Sequence, residues 1–477
     1  MERQPPLPPQ VWEQLPMSTQ LALWMVVERY ERRIAGLERT VAELTEQLQR
    51  NSRNSSRPPS ADGPHVKRPP PKASSGRKPG AQPGHRGHRR TVLPPAEVDA
   101  VIACQPTYCR RCGQRVEGRD AAPLRHQVFE VPSLTPHVTE YQLHRLRCPR
   151  CGITTCGQLP RGVPWSGYGP RLTSLVALCS GAYRLSKRKV AHLCREVLGV
   201  PIAVGVVCKL EQVVKRAIRP AVQAARAYIQ TQDTNIDETP WRERSRRRWL
   251  WTAVTSKVSV FQIAPARGGP VLQAVVGKAY GGIVTSDRAK AYDTRPVGKR
   301  QLCWAHLRRE FQAMIDRGGG AKVIGELLLA HSNALFHAWH RWRTGQWAES
   351  TFRWYMGGLR RTFREVLERG RRCREVKTAA TCQELVMREP ALWTFVRSPG
   401  VEPTNNAAER ALRHAVVWRK SSYGTQSHQG SRFVEAILTV VTTCQQQKRN
   451  VWEYLTACCR AYATKRPIPS LLPHTSS

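Results

Sequence analysis

Two Cys-x-x-Cys-Gly motifs constrain the fold more tightly than any other feature of this chain. They are Cys109-Arg-Arg-Cys112-Gly113 and Cys148-Pro-Arg-Cys151-Gly152. Two such pairs supply the four thiolates of a tetrahedral structural Zn²⁺ site, and the glycine after each pair permits the tight turn. We therefore predict a zinc-ribbon-like module over residues 96–158, with these four cysteines as Zn²⁺ ligands and a β-hairpin within residues 125–147. Redox chemistry is the alternative, but it needs one such motif on a thioredoxin-like unit rather than two.

The charge balance indicates a polyanionic partner. The 477 residues include 76 Lys and Arg against 35 Asp and Glu, a formal net charge of +41 at pH 7. Most of these cations are arginines, whose planar guanidinium groups match phosphate through two hydrogen bonds. A genome that favours arginine codons would explain arginine over lysine, but not the excess of cations over acids. The composition therefore predicts nucleic-acid binding.

Length and cysteine content indicate several domains in a reducing compartment. At ~100–200 residues per domain, the chain is long enough for several domains. The 15 cysteines are odd in number and follow no secretion signal, which favours metal-bound or buried thiols. The longest early apolar run, residues 21–27, is far shorter than the ~20 residues that span a bilayer. We expect a cytoplasmic protein without a membrane partner.

A heptad repeat occupies the N-terminal part of the chain. Apolar residues recur at alternating spacings of four and three, at Leu23, Val27, Tyr30, Ile34, Leu37, Val41, Leu44 and Leu48. β-Branched residues at one seam position and mostly leucine at the other favour a parallel two-stranded coiled coil. One amphipathic helix packed on its own domain is the alternative. Because a solvated linker follows and would isolate the helix, we predict a coiled-coil dimerisation helix over residues 18–50.

Residues 51–95 have the composition of a basic disordered linker. Proline, serine, glycine and cations dominate the segment, so it cannot build a core. Its cations are typical of an arm that binds phosphates or a minor groove, and a plain tether is the alternative. The predicted DNA-binding residues of the arm are Arg77, Lys78, Arg86, Arg89 and Arg90.

Three helical segments are predicted within residues 165–228. They run from Leu172 to Tyr183, from Lys187 to Leu198 and from Ile202 to Ile218. Two helices joined by a short turn with glycine are typical of a helix-turn-helix, although any small helical bundle shares this pattern. The cations Lys187, Arg188 and Lys189 favour a helical DNA-binding segment.

Three carboxylates are placed where they could form one metal site. Asp237 and Asp287 each end a predicted strand, and Glu409 begins a predicted helix. If they converge, they could hold two Mg²⁺ ions ~3.5–4 Å apart, which stabilise the attacking and leaving oxygens of a phosphoryl displacement. The alternatives are a turn residue, a helix cap and a capping box, respectively. Glu238 and Asp293 lie near enough to be mistaken for the ligands.

The ordered set of motifs resembles the insertion-sequence-66 family of bacterial transposases over about residues 20–460. After the heptads come Asn51-Ser-Arg-Asn-Ser-Ser-Arg-Pro-Pro-Ser60, Arg77-Lys-Pro-Gly-Ala-Gln-Pro-Gly-His85, the paired Cys-x-x-Cys motifs, Asp237-Glu-Thr239, Thr285-Ser-Asp287 with Ala291-Tyr292, Cys303-Trp-Ala-His-Leu-Arg-Arg309, and Asn405-Asn-Ala-Ala-Glu-Arg-Ala-Leu-Arg413 with Arg419-Lys420. The family usually has Asp-Gly-Tyr where this chain has Asp287-Arg-Ala.

The resemblance implies a multidomain α+β protein with an RNase H-like α/β catalytic core. We expect this core over residues 230–445, a helical insertion at about 305–400, and a C-terminal helix and tail over 446–477. The length of the segment between Asp287 and Glu409 also predicts the insertion, because structureless loops beyond ~12–15 residues are uncommon in compact domains. The resemblance assigns the catalytic and Mg²⁺-binding roles to Asp237, Asp287 and Glu409.

The implied activity is that of a DNA transposase of the Asp-Asp-Glu type. It would cleave DNA at the ends of an insertion sequence with two Mg²⁺ ions, or Mn²⁺ in their place, and then transfer the strand to a target. The implied partners are double-stranded DNA (terminal inverted repeats and target), further copies of the chain, and accessory proteins of the element. The implied location is the bacterial cytoplasm, in association with the nucleoid.

Two smaller motifs leave alternatives open. Cys303 and His306 form a Cys-x-x-His pair that is either an element of the site or packed core. Arg419 and Lys420 belong to a basic loop that is either a contact for DNA phosphates or a solvated turn. At the level of function, the alternatives are a catalytically inactive DNA-binding repressor or relic, and a structure-specific RNase H-like nuclease.

Overall fold

The computed structural model describes residues 6–55 and 91–473, and these form two compact units. The larger unit contains residues 6–55, 139–196 and 200–473, and the smaller one contains residues 91–138 and 197–199. The predicted module at 96–158 is therefore divided between the two units. The predicted arm residues Arg77, Lys78, Arg86, Arg89 and Arg90 lie outside the described residues.

The N-terminal segment is helical, with α1 (Pro9–Trp12) followed by the long helix α2 (Met17–Gln49). The end of α2 contacts the rest of the larger unit. Glu46 lies 3.8 Å from a guanidinium nitrogen of Arg317 and also pairs with Lys377. The expectation that the linker isolates this helix is therefore wrong, because ion pairs attach its last turn to the body of the unit.

The two Cys-x-x-Cys motifs form turns of the same kind. The N–H of Gly113 donates to the carbonyl of Cys109 at 3.0 Å, and the N–H of Gly152 donates to the carbonyl of Cys148 at 2.9 Å. Both glycines have a φ of +73°, a left-handed conformation that a side chain would strain. The glycines thus close both turns as their positions in the sequence predict.

A short hairpin surrounds the second turn. Its strands β1 (Arg145–Arg147) and β2 (Thr154–Cys156) pair antiparallel. The hairpin predicted within residues 125–147 is wrong, because the chain reverses at the Cys148 turn itself and not before it.

Three helices lead into the central sheet, α3 (Pro170–Gly181), α4 (Lys187–Leu198) and α5 (Val204–Ile229). The first two agree closely with the predicted segments. Helix α5 continues past Ile218 because its buried apolar positions continue to Ile229. Helices α3 and α5 share one hydrophobic core with the sheet, so the predicted boundary near residue 230 falls inside a single core.

A five-stranded mixed sheet forms the centre of the larger unit, in the order β5-β4-β3-β6-β7. The strands are β3 (Thr234–Glu243), β4 (Arg246–Val254), β5 (Ser259–Ala264), β6 (Val284–Ser286) and β7 (Arg300–Leu302). The first three form an antiparallel meander, and β6 and β7 run parallel to β3. Helix α6 (Gly269–Val276) connects β5 at one edge of the sheet to β6, which pairs with β3 on the side away from β4. Strand β3 therefore lies in the middle of the sheet.

A helical insertion separates β7 from the next helix that packs on the sheet. It consists of α7 (Trp304–Arg317), α8 (Gly319–Arg343), α9 (Glu349–Gly370), α10 (Val376–Met387) and α11 (Thr394–Arg397). These helices have a hydrophobic core of their own. Trp304 is fully buried there, and its ring centroid lies 5.3 Å from that of Trp393.

The last three helices return to the sheet, α12 (Asn406–Ser422), α13 (His428–Gln446) and α14 (Val451–Ala463). Helix α12 packs on β3 and β4, α13 packs on β5 and α5, and α14 packs on α3 and α5. None of the helices within the described ranges combines the length and apolar composition that a bilayer crossing needs.

Candidate active site

The parallel strands bring three predicted site residues to one level of the sheet. The β3–β6 register pairs Asn235 with Thr285, and the β6–β7 register pairs Thr285 with Gln301. Two residues further along the three strands stand Asp237, Asp287 and Cys303. Because neighbouring strands lie ~4.8 Å apart and side chains alternate with a period of two, these side chains occupy adjacent positions.

Asp237 lies on β3, in the middle of the sheet. Its Oδ1 accepts the backbone N–H of Glu238 at 2.9 Å. Burial raises the pKa of Asp237 well above its usual range, and the charges of neighbouring carboxylates raise this pKa further. The neighbours are Glu238, Asp287 and Glu409. A bound cation would therefore stabilise the ionised form of Asp237.

Asp287 follows the end of β6 and uses its two oxygens differently. Its Oδ1 accepts the N–H of Ala289 at 2.9 Å, which is a local turn of the kind that aspartate forms. Its Oδ2 lies 3.4 Å from Nη2 of Arg267. The helix-cap alternative is not supported, because the short 3₁₀ helix that follows (Lys290–Thr294) begins after Ala289 and has no side-chain cap hydrogen bond. One oxygen of Asp287 thus closes a turn, and the other faces a cation.

Glu238 has partners of its own, although it is adjacent to Asp237 in the sequence. Its side chain is 0% exposed, pairs with Arg267 and accepts the hydroxyl of Tyr292. Burial raises the pKa of Glu238, while Tyr292 and Arg267 oppose this shift. The structure therefore gives Glu238 a donor and a cation, and it surrounds Asp237 with other acids.

Asp293, the second acid that could be mistaken for a ligand, is also paired. It lies 2.8 Å from Nη1 of Arg300 and 2.9 Å from Nη2 of Arg388. The Arg300 side chain is only 2% exposed, so Asp293 compensates an almost fully buried guanidinium group. These ion pairs account for an acid at this position through the stability of the fold, without a role in metal binding.

Glu409 lies in the first turn of α12. The helix begins after Asn405 without a side-chain cap hydrogen bond, so the geometry does not support the capping-box alternative. Asn405 Nδ2 instead donates to the carbonyl of Ile236 at 2.8 Å, which fixes the start of α12 beside Asp237. Glu409 Oε1 is buried and finds no hydrogen-bond partner among the described residues.

Cys303 and His306 lie beside these carboxylates. Cys303 precedes α7, and its Sγ accepts the N–H of Asn405 at 3.1 Å. His306 Nδ1 lies 3.7 Å from Oε1 of Glu409. Burial lowers the pKa of His306, and burial raises the pKa of Cys303 to about 11. Cys303 is part of the packed core, and both Cys303 and His306 also border the candidate site. The alternatives of packed core and site element are therefore compatible for this pair.

Sequence reasoning missed three residues that support the site. Tyr292 and Asn405 belong to motifs of the family resemblance, and that membership was the signal that could have found them. Arg267 lies in the loop after β5, where the sequence gives no comparable signal. All three act through contacts between residues far apart in the chain.

The predicted DNA-binding cations of α4 differ in their environment. Arg188 and Lys189 are exposed. Lys187 pairs with Glu211, and its ammonium lies 5.5 Å from the ring centroid of Phe433. Lys187 therefore contributes to internal packing, and its two neighbours remain available to a partner.

The second predicted basic site lies at the end of α12. Arg419 Nη1 donates to the carbonyl of Pro240 at 2.8 Å and so attaches α12 to β3. Lys420 follows it in the last turn of the helix. A cavity of about 590 Å³ opens here. It is lined by Pro240, Trp241, Arg242, Ser245, Arg247, Arg419 and Tyr423.

The predicted zinc ligands form two pairs with similar electrostatics. Hydrogen bonds from the backbone N–H groups of Cys112 and Arg111 lower the pKa of Cys109. Corresponding bonds from Cys151 and Arg150 lower the pKa of Cys148. Each turn thus stabilises one thiolate, the form of cysteine that binds metal.

The chain is a mixed α/β protein with two compact units, and its candidate active site consists of carboxylates at the centre of the mixed sheet. Residues 166–432, more than half of the chain, match the family model described as Transposase IS66 family, so the chain belongs to the IS66 family of transposases. Membership implies a DNA transposase of an insertion sequence, and with it DNA binding and use of a divalent metal. The predicted resemblance is therefore confirmed.

Two further similarities carry no activity in their names. Residues 11–91 match a family of unknown function, DUF6444. The uncharacterized protein y4hP of Sinorhizobium fredii (strain NBRC 101917 / NGR234) is 23% identical over 391 residues, which is 73% of this chain and 69% of the relative.

Proposed function

We propose that this chain binds the ends of its insertion sequence, cleaves DNA there in a Mg²⁺-dependent reaction and joins the end to target DNA. The observation that supports the proposal is the placement of Asp237 on β3, Asp287 at the end of β6 and Glu409 in the first turn of α12, near enough to interact electrostatically although their oxygens do not all lie within 4.8 Å of one another. These acids are close enough that Asp287 and Glu409 both raise the pKa of Asp237. Acids that repel one another at the centre of a sheet are costly unless a cation offsets them.

The donor set fits Mg²⁺. Carboxylate oxygens are the ligands that Mg²⁺ prefers, and Asp237, Asp287 and Glu409 would hold the ions. The buried, unpartnered Oε1 of Glu409 and the raised pKa of Asp237 both indicate missing positive charge. When bound, two Mg²⁺ ions stabilise the attacking and leaving oxygens of an in-line displacement at phosphorus.

Neighbouring residues position the carboxylates. Asn405 attaches the start of α12 to the strand of Asp237, which keeps Glu409 beside that strand. Arg267 pairs with Asp287 and with the buried Glu238, so it orders the Asp287 side chain before any ion is present. These contacts hold the reacting groups in place, which is the main contribution a protein makes to phosphoryl transfer.

We assign the sheet and the helices that pack on it to the RNase H-like core that the family resemblance implies. The support is the placement of the acids, with Asp237 on the central strand β3 and Asp287 at the end of its parallel neighbour β6. We assign the cavity beside Arg419 to the DNA backbone, because Arg242 and Arg247 are exposed along it.

Two supporting parts are proposed on separate observations. Binding of one structural Zn²⁺ by Cys109, Cys112, Cys148 and Cys151 requires the two pairs to meet around the ion. Its support is that each motif offers two thiols in a turn that lowers the pKa of one of them. The seam of α2 forms a dimer, since Ile34, Leu37 and Leu44 are each more than half exposed on a single chain.

A cleavage and joining assay tests the proposed reaction. Labelled end DNA is incubated with Mg²⁺, and Asp237→Asn, Asp287→Asn and Glu409→Gln are compared with the natural chain. Each change should abolish cleavage and joining together while DNA binding persists, because both steps use the same ions. Asp293→Asn is the matched control, since it removes a nearby acid that has its own cations.

The assay also separates the alternative functions. Cleavage without joining would indicate a structure-specific nuclease. Binding without cleavage by the natural chain would indicate a repressor or relic. Full activity of Glu409→Gln would show that the third ligand has been assigned to the wrong residue.

A further inference from the structure

We propose that Cys303, His306 and Glu409 form a second site, for a thiophilic divalent cation such as Zn²⁺, which shares Glu409 with the proposed Mg²⁺ site, and that an ion bound there inhibits the enzyme by occupying Glu409. The inhibitory part rests on the proposed function, in which Glu409 serves the catalytic ions. The binding part does not depend on it.

The geometry brings one ligand atom of each residue into a compact group. The thiol sulfur, a ring nitrogen and a carboxylate oxygen lie within 4.8 Å of one another. Within residues 6–55 and 91–473, this is the one such group of three or more metal-binding side chains. With Zn–S at about 2.3 Å and Zn–N at about 2.0–2.1 Å, tetrahedral ligand atoms lie ~3–4 Å apart. Small side-chain rotations are therefore enough to close the group around an ion.

Two of the three ligand atoms lack a hydrogen-bond partner. His306 Nδ1 and Glu409 Oε1 are both buried and unpartnered in the described part of the chain, and they lie 3.7 Å apart. Buried polar atoms are nearly always paired, so two such atoms side by side point to a missing group between them. A cation between a ring nitrogen and a carboxylate oxygen satisfies both.

Local backbone structure positions the sulfur for the same ion. Cys303 precedes α7 and His306 lies in its first turn, so the two side chains project from the same end of the helix. The N–H of Asn405 donates to the sulfur of Cys303 at 3.1 Å, which holds the sulfur beside the start of α12. Asn405 also precedes the helix of Glu409, which ties the third ligand to the first.

The chemistry of the group differs from that of the catalytic acids. Thiolate and imidazole ligands select Zn²⁺ and similar transition metals, whereas Mg²⁺ takes oxygen ligands. Asp237 and Asp287 offer only oxygens, and Glu409 is common to both sets. An ion held by Cys303 and His306 would thus keep Glu409 away from the Mg²⁺ ions.

Metal analysis of the full-length protein tests the binding step. After loading with Zn²⁺ and removal of excess, Cys303→Ser and His306→Gln should each lose one bound ion per chain or bind it at least ~10-fold more weakly. Cys382→Ser is the matched control, because Cys382 is an equally buried cysteine of the insertion. With Co²⁺ as the probe, the thiolate charge-transfer absorption should fall in Cys303→Ser and persist in Cys382→Ser.

Inhibition is tested in the Mg²⁺ cleavage assay. Added Zn²⁺ should inhibit the natural chain, and His306→Gln should need at least ~10-fold more Zn²⁺ for the same inhibition. The His306 variant guards against misfolding of the Cys303 variant, because the His306 side chain is 19% exposed whereas Cys303 is almost fully buried. Unchanged metal content in both variants would overturn the site, and binding without inhibition would overturn the inhibitory role. If Asp237→Asn cleaves normally, the proposed function fails instead, whatever the metal analysis gives.

Discussion

Nη2 of Arg267 lies 3.4 Å from Oδ2 of Asp287, and the same guanidinium group pairs with the fully buried carboxylate of Glu238. One cation therefore serves an acid of the candidate metal site and an acid of the core beside it. Because a divalent ion at Asp287 would compete with Arg267, we expect this arginine to hold the site together in the absence of metal.

Removing this guanidinium should destabilise the fold. Arg267→Ala leaves Glu238 buried without its cation, so the free energy of unfolding should fall by about 1–3 kcal/mol, less than for a fully buried pair because Arg267 is 40% exposed. Urea denaturation at pH 7 measures this loss. Arg247→Ala is the matched control, since both guanidinium groups lie over the ring of Trp249. Equal losses in the two variants would show that the aromatic contact, and not Glu238, matters.

Stability should respond to pH through Asp237. Its pKa is raised in the folded chain, so its contribution is favourable below the ordinary pKa of aspartate and is lost as the pH rises through the folded value. At pH 7, above the ordinary pKa of aspartate, the folded chain bears the cost of the raised pKa, and Asp237→Asn should raise the melting temperature. The gain should disappear near pH 4, where the aspartate is increasingly protonated in both states. Scanning calorimetry in metal-free buffer measures both points, and a gain that does not change with pH would contradict this origin.

Substitutions in the α2 seam should lower the assembly state. Leu37→Lys with Leu44→Lys places charges at positions that are 58% and 54% exposed in one chain and that the heptad pattern buries in a dimer. Light scattering gives the mass. Met25→Lys is the control, because Met25 is 64% exposed on the same helix but lies off the seam. Point substitutions are preferable to removal of residues 1–50, which would also break the contacts of Glu46. An unchanged mass in the double variant would contradict the dimer.

The salt dependence of DNA binding should identify the cations that contact phosphate. Each neutralised phosphate contributes ~0.9 to the slope of log affinity against log salt on duplex DNA. Arg188→Ala with Lys189→Ala should therefore flatten the slope by up to ~1.8 and leave sequence preference nearly unchanged. Lys187→Ala is the control, because Lys187 pairs with Glu211 inside the unit. If only the control alters the slope, α4 is not a DNA contact. The arm at Arg86, Arg89 and Arg90 should behave like the exposed pair.

Loss of zinc should affect the Cys-x-x-Cys turns together. Cys109→Ser with Cys148→Ser should release one Zn²⁺ per chain, because each change removes one of four thiolates. Metal analysis provides the count, and hydrogen exchange should show faster exchange in residues 100–156 after the loss. The Cys104→Ser variant is the control and should keep its bound zinc, because Cys104 is an exposed cysteine outside both motifs. Unchanged zinc in the double variant would exclude the site.

The sequence by itself determined the features that depend on near neighbours. The glycines after each Cys-x-x-Cys pair predicted the left-handed turns, and the heptads predicted the α2 helix. Helix α4 begins and ends at the predicted residues. Such features follow from local backbone preferences and from periodic patterns, which a single stretch of residues contains.

Only the tertiary structure separated Asp237 from Glu238. The two acids are adjacent on one strand, and successive side chains of a strand point to opposite faces, so their surroundings depend on what packs on each face. Arg267 and Tyr292 reach Glu238 from distant loops, and Asn405 brings the helix of Glu409 to the strand of Asp237. Contacts across tens to hundreds of residues leave no periodic trace in the sequence. The motifs could therefore propose three acids, but only the packing could give Glu238 a cation and leave Oε1 of Glu409 without a hydrogen-bond partner among the described residues.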